Sequence, residues 1–167
     1  CLTDVQRILH RPVPREVCLV LDAPWEGNNC AFVTAFEDAG TYRMTYRGSQ
    51  LHWRDGSVTY PHGQVTCYAE STDGIHWHKP DLGLVEFEGS PRNNIILEAC
   101  KGSHNFSPFR DNCPDCTTPE RYKAIGGLSG DGGLFAFTSP DCIHWSRMQE
   151  TPIITQGAFD SQNIAFW

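Results

Sequence analysis

The sequence predicts an all-β fold built from repeated units, and three observations lead there. The stretch Glu70-Ser-Thr-Asp-Gly-Ile-His-Trp recurs as Thr138-Ser-Pro-Asp-Cys-Ile-His-Trp, so a Ser-x-Asp-x-Ile-His-Trp box is present twice. Each box follows a run of strand character, residues 65–69 and 133–137. Glu26-Gly-Asn-Asn-Cys-Ala-Phe reappears as Asp160-Ser-Gln-Asn-Ile-Ala-Phe, which reads as the start of a third unit. Self-similarity of this kind marks a repeat architecture, and about four short strands per unit is the make-up of a β-propeller blade.

The elements follow in order. Residues 2–10 have a faint helical look but are not expected to form a helix, and Pro12 and Pro14 break what precedes them. Residues 17–21 form a short apolar run, read as a strand, and Asp22-Ala-Pro-Trp-Glu-Gly is a turn. Residues 31–36 and 42–47 read as two strands joined by Glu-Asp-Ala-Gly, a hairpin pattern. Residues 49–63 read as a polar insert containing Gly and His. Residues 64–70 are the third strand, and the first box leads to a fourth. Residues 82–88 and 94–97 add short strands that close the unit. The second unit starts near Ser103 and passes through a loop rich in Pro, Asp, Cys and Thr at 111–120. It continues with Tyr122-Lys-Ala-Ile-Gly-Gly, 133–137, the second box and 152–155. Blade one is thus expected over 17–98, blade two over 103–156, and the first strand of a third from 157 to 167. The expectation is a truncated propeller whose remaining blades lie outside this chain, because closure takes at least about four blades.

The boxes have a mechanical reading. The Asp sits at a turn tip, where its side chain accepts hydrogen bonds from local backbone. Gly74 supplies the positive φ that such a turn needs, and the Trp enters the core. Cys142 stands where Gly74 stands, so the second turn is expected to differ in type. Asp73 and Asp141 are therefore structural rather than catalytic.

Composition excludes several classes. The chain has 167 residues, of which 40% are hydrophobic and 20% charged, which fits a globular domain rather than a disordered segment. A net charge of −7 without a basic run argues against a nucleic-acid partner. No apolar run is long enough for a membrane span, and the first residues do not form a signal peptide. The start at Cys1, without Met, reads as a mature or clipped end, and the compartment stays open between a secreted or periplasmic home and others. The eight cysteines are Cys1, Cys18, Cys30, Cys67, Cys100, Cys113, Cys116 and Cys142. Only Cys113-Pro-Asp-Cys116 has ligand spacing, with Cys100 and His104 as the nearest further candidates for a zinc knuckle. Plain buried or loop cysteines are the default, and no metal or cofactor is expected.

Several stretches together resemble a known group. They are Pro24-Trp-Glu-Gly, Tyr42-Arg-Met-Thr-Tyr-Arg-Gly, the first box, His104-Asn-Phe-Ser-Pro-Phe-Arg-Asp, Arg121-Tyr-Lys-Ala and Phe159-Asp-Ser-Gln-Asn-Ile-Ala-Phe-Trp. The group is the five-bladed β-propeller glycoside hydrolases of families 32, 43, 62 and 68, with the related phosphorylase family 130. The nearest likeness is to a family 32- or 43-like subgroup from environmental bacteria. The resemblance implies a carbohydrate substrate and a pocket at the propeller axis. It also implies an acid trio serving as nucleophile or base, transition-state stabiliser and general acid. Such chemistry needs carboxylates flanking the glycosidic bond, one of them held protonated.

Carried onto this sequence, the resemblance makes Glu26 the nucleophile or base, with Asp22 in reserve. Asp111, in Phe109-Arg-Asp-Asn-Cys-Pro, is similar to the family 32 Arg-Asp-Pro stabiliser, although Asn112 and Cys113 intervene before Pro114. Asp160 repeats the position of Glu26. The family 32 Asn-Asp-Pro-Asn-Gly start is absent, and no Glu-Cys motif follows the Asp111 loop, so the general acid is expected downstream. Trp25, His104, Asn105 and Phe106 are candidates for a sugar subsite, and Arg110 for orienting a carboxylate or binding an acidic sugar. Each has a plainer alternative: turn caps for Glu26 and Asp160, a core plug for Trp25, a surface ion pair for Arg110. Asn105-Phe-Ser also matches the N-glycosylation pattern, which matters only in a eukaryotic secretory setting. Glycosidic hydrolysis is the leading reading. A non-catalytic carbohydrate-binding propeller, a family 130-type phosphorylase and a zinc-stabilised scaffold are its rivals.

Overall fold

The computed structural model describes residues 3–167. Cys1 and Leu2, and with them the start of the faintly helical segment, lie outside the described residues. The fold is all-β. Among the described residues there is no α-helix, only two 3-10 turns at Thr118–Glu120 and Ser129–Asp131. Among these residues no helix is long and apolar enough to cross a membrane.

Two four-stranded antiparallel sheets carry the chain. The first is ordered β1 (Ala31–Asp38), β2 (Thr41–Gly48), β5 (Val65–Ser71), β6 (Ile95–Leu97). The second runs β7 (Ser107–Arg110), β8 (Tyr122–Leu128), β9 (Gly133–Ser139), β10 (Ser146–Arg147), so each sheet is a meander. The first strands, β1 and β7, lie side by side. Strand β5 is buried on both faces: Val65, Cys67 and Ala69 join Tyr46 and Ile95 in one core, while Tyr68 joins Ile96, Tyr122 and Cys142 in another. This alternation follows from the period of two along a strand. The second core lies between the sheets and runs into a third, made of Phe106, Ala124, Phe135 and Phe137, with Trp145 touching both.

Polar groups staple the sheets at one end. Asp38, at the end of β1, accepts hydrogen bonds from Tyr122 and Arg121 and pairs with Arg110 at 2.9 Å. Arg43 donates to Tyr68 Oη at 2.8 Å and to the Asp141 carbonyl at 3.3 Å, and its guanidinium lies over the Tyr122 ring.

Several expectations need correction. Residues 17–21 form no strand. Leu19 and Leu21 pack on the first core while Val17 and Val20 face solvent, so the segment lies over the sheet without entering a ladder. Residues 49–63 are not merely a polar insert. They contain a hairpin of β3 (His52–Arg54) and β4 (Ser57–Thr59). Its turn, Asp55-Gly56, has φ of 49° and 79°, the left-handed pair that a two-residue hairpin demands. The fourth position of the first sheet is not one strand after the box. It is shared between a single bridge, Glu70 to His78, and β6. Residues 82–88 contribute one bridge, Phe87 to Ser90, and 152–155 contribute the bridge Leu134 to Ile154. Residues 160–167 form no ladder.

The two boxes are superimposable in their bonding. Asp73 Oδ1 accepts from the N–H groups of Ile75 and His76 at 2.8 Å, and Asp141 Oδ1 accepts from those of Ile143 and His144 at 2.9 and 2.8 Å. Each Oδ2 meets the histidine Nδ1 at 2.7 Å. The second turn does not differ from the first: Cys142 adopts φ of 69°, beside 74° at Gly74. Burial explains why a thiol stands there, since Cys142 is fully enclosed in the core between the sheets.

Candidate functional site

The sequence-predicted acids stand in three different settings. Glu26 is wholly buried beneath the turn at 23–28. Its carboxylate accepts from the Ala23 N–H at 2.8 Å, from Tyr46 Oη at 2.5 Å and from Lys79 Nζ at 3.0 and 3.2 Å. Asn94 continues the chain of bonds, donating to Tyr46 Oη at 2.8 Å and accepting from Trp25 Nε1 at 2.7 Å. Burial, with the bond to Glu26, pushes the Tyr46 hydroxyl far above its ordinary pKa. Trp25 is partly buried and packs on the first core, forming a T-shaped pair with Phe87. Asp22 is exposed and lies 3.5 Å from the same Lys79.

Asp111 stands at the other end of β7. Lys123 Nζ lies 2.6 Å from its Oδ2, and the Cys113 N–H donates to its Oδ1 at 2.8 Å. The bond from Lys123, then that from Cys113, holds its carboxyl below the usual range. Arg110, beside it, is committed to Asp38.

Asp160 differs from both. It is exposed and, among the described residues, has neither a hydrogen bond nor an ion pair; it lies near enough to His104 to raise that ring's affinity for a proton. His104 is half-buried, with Nδ1 3.1 Å from Gln64 Oε1. Burial first, and then Arg47, outweigh Asp160 and Asp131, so its pKa falls below the ordinary value. Asn105 is buried and bridges the units: it accepts from Arg47 at 3.2 Å and donates to the Ser161 carbonyl at 3.2 Å.

Two clefts flank these residues. One, of about 480 Å³, is walled by β1, β7 and residues 162–166. Across it, Gln162 Nε2 donates to Thr34 Oγ1 at 2.7 Å, and Thr34 Oγ1 lies 3.5 Å from Ser107 Oγ. The other, of about 410 Å³, opens where β1 and β7 begin and is lined by Asn29, Arg47, Tyr60, His62, Gln64 and His104. Backbone strain gathers at this end. Phe32, at the bulge in β1, has φ of 53°; Asn105, just before β7, has 54°; Phe159, before Asp160, has 57°. Non-glycine residues in this region cost energy and cluster at functional sites. The Phe32 ring carries the Arg47 guanidinium at 4.6 Å.

Sequence reasoning missed Arg47, Tyr60 and His62. Arg47 lay inside a strand already assigned, while Tyr60 and His62 lay in the supposed insert. The readable clue was Asp55-Gly56 between Trp53 and Val58, which forecasts a hairpin and carries Tyr60 to the rim of the cleft. Cys113 and Cys116 are free thiols, and among the described residues no group of three or more His, Cys, Asp or Glu side chains is arranged to hold a metal ion.

No family model matches the chain. Over 64 residues, 38% of its length, it is 48% identical to the uncharacterized protein MT1551 of Mycobacterium tuberculosis strain CDC 1551. Over 54 residues, 32% of its length, it is 48% identical to the uncharacterized protein Rv1502 of strain H37Rv of the same organism. The matches cover 20% and 17% of those proteins, so the chain spans about a fifth of the length of the curated relatives it matches.

Proposed function

We propose that the two sheets are consecutive blades of a five-bladed β-propeller glycoside hydrolase, that residues 160–167 lead into a third blade, and that the cleft at the starting ends of β1 and β7 binds a glycan. One observation carries this reading. Thr34, Ser107 and Gln162, one residue from each predicted unit, meet around a single cleft. A radial array of blades requires its innermost strands to meet in this way. The strained, polar end of that array supports glycan binding, since fixed hydrogen-bonding groups beside an aromatic ring suit a polyhydroxylated ligand.

In this reading Asp160 is the acid available for chemistry, and its carboxylate partners come from elsewhere in the protein. A second reading, a carbohydrate-binding propeller without turnover, is favoured by the lysines that occupy Glu26 and Asp111. The test is the full-length protein incubated with a panel of oligosaccharides, following released reducing ends. Hydrolysis that falls about 100-fold or more in Asp160→Asn, with an unchanged melting temperature, supports the first reading. Binding without release supports the second, and cleavage strictly dependent on phosphate indicates phosphorolysis. Neither binding nor cleavage of any glycan would sink the proposal.

A further inference from the structure

Arg92, Arg110, Arg121 and Arg147 each pair with a carboxylate. Arg47 does not. Among the described residues its single hydrogen bond runs from Nη1 to Asn105, which leaves Nη2 without a partner and not buried. The cleft that it lines contains no acidic side chain, although the chain carries 20 Asp and Glu against 13 Lys and Arg. A half-buried guanidinium with open donors and no counter-charge is a waiting anion site, because its fork geometry matches an oxyanion.

His62 shapes the same wall. Its Nδ1 lies 2.8 Å from the Gly63 carbonyl, and a carbonyl only accepts, so Nδ1 carries a proton. Its Nε2 is buried and its ring packs edge-to-face with Phe87, so His62 braces the wall. Tyr60, 60% exposed at the rim, offers a flat apolar face beside Arg47.

We propose that this cleft is a subsite for an acidic sugar, with Arg47 holding the carboxylate and Tyr60 covering the pyranose face. The proposal rests on the glycan reading above and narrows it to anionic sugars. Inorganic phosphate would present a similar oxyanion but no pyranose face for Tyr60.

The experiment is calorimetric titration of the full-length protein with a panel of uronic acids, each beside its neutral parent sugar, and with inorganic phosphate. At least one uronate is expected to bind about tenfold or more tightly than its parent, with a preference that shrinks as salt is added. Arg47→Met is expected to bring that ratio to within about twofold, and Arg47→Lys to keep part of it. If Arg47→Met does not fold, Arg47→Lys and the salt series on the unaltered protein decide the same question. Equal affinity for uronates and neutral sugars overturns the subsite and leaves the glycan reading standing. Phosphate binding tighter than every uronate overturns the acidic-sugar assignment in favour of a phosphate pocket. Binding of no sugar at all overturns both.

Discussion

Lys79 Nζ lies 3.0 Å from Glu26 Oε2, tying the turn before β1 to the segment that follows the first box. Glu26 has no exposed surface, while the Lys79 side chain keeps 23% of its own. Removing one member of such a pair strands the other, and that cost usually exceeds the worth of the pair itself. Lys79→Met should therefore destabilise the protein by about 3 kcal/mol, and Glu26→Gln by about 1–3 kcal/mol, because the amide turns one of two accepting oxygens into a donor and removes the charge opposite Lys79. The double variant Glu26→Met, Lys79→Met should recover part of the loss. Urea denaturation midpoints measure all three. If Glu26→Gln abolished glycan turnover and left the midpoint unmoved, Glu26 would be catalytic, as its sequence position first implied.

The boxes predict a pH profile. Burial opposes ionisation of Asp141, but the His144 and Ile143 N–H groups, the His144 ring and Ser139 outweigh it and bring its pKa down to about 2. Asp73 is also lowered, chiefly by the His76 ring and then by backbone N–H groups. A folded pKa below the unfolded value of about 3.9 gives stability that is complete above that value and lost as pH falls through the folded one. His76 is shifted the opposite way, raised first by its bond to Asp73. Its contribution is complete below about pH 6.5 and disappears as pH rises through its folded pKa. The first box is thus most stabilising between about pH 4 and 6.5. Asp141, with 42% of its side chain exposed, should be worth on the order of 1 kcal/mol after solvent screening, read as the loss in Asp141→Asn at pH 6 that vanishes near pH 2.

Cys142 and Gly74 make a matched pair for backbone strain. A side chain at φ of 69° costs roughly 1–2 kcal/mol, and Cys142 offsets this by complete burial. Cys142→Gly relieves strain and loses packing, so its stability should stay within about 1 kcal/mol of the parent. Gly74→Ala has no such offset. Its Cβ would come within 3.3 Å of the Tyr42 ring at a φ of 74°, and a loss of about 1–2 kcal/mol is expected. Thermal unfolding of the two variants side by side distinguishes them, and equal losses would contradict the assignment.

Periodicity made most of the strands readable. The pairs at 31–38 and 41–48, and β5, β8 and β9, show alternation or strong β character and turn residues between them. The repeated boxes forecast their own hydrogen bonds, because an Asp two residues after a Ser at a strand end has few other local partners. What local sequence did not reveal was the fourth strand of the first sheet, which His78 and β6 share from opposite sides of a 16-residue excursion. It also did not reveal the fate of the acids. Glu26 and Asp160 occupy matching places in the repeat, yet Lys79 and Tyr46 enclose the first while the second meets solvent. That difference is set by residues 20 to 53 positions away, beyond the reach of any motif.

His104 offers a direct reading of the cleft. Its environment contains Arg47, which repels a proton, Asp131 and Asp160, which attract one, and Gln64, whose Oε1 faces Nδ1. Burial is the largest influence and, with Arg47, it holds the pKa below the ordinary value. The unfolded chain therefore takes up a proton near pH 6.5 before the folded protein does, and stability contributed here is complete above that pH and declines as pH falls toward the folded pKa. Nuclear magnetic resonance titration of the His104 ring should give a midpoint below 6.5. Arg47→Met should raise that midpoint by removing the repelling charge, and Asp160→Asn should lower it by removing the attracting one. A bound uronate, adding negative charge next to Arg47, should raise it as well. If Asp160→Asn left the midpoint unmoved, Asp160 would not be coupled to the cleft, and the proposed role of its carboxylate there would fail.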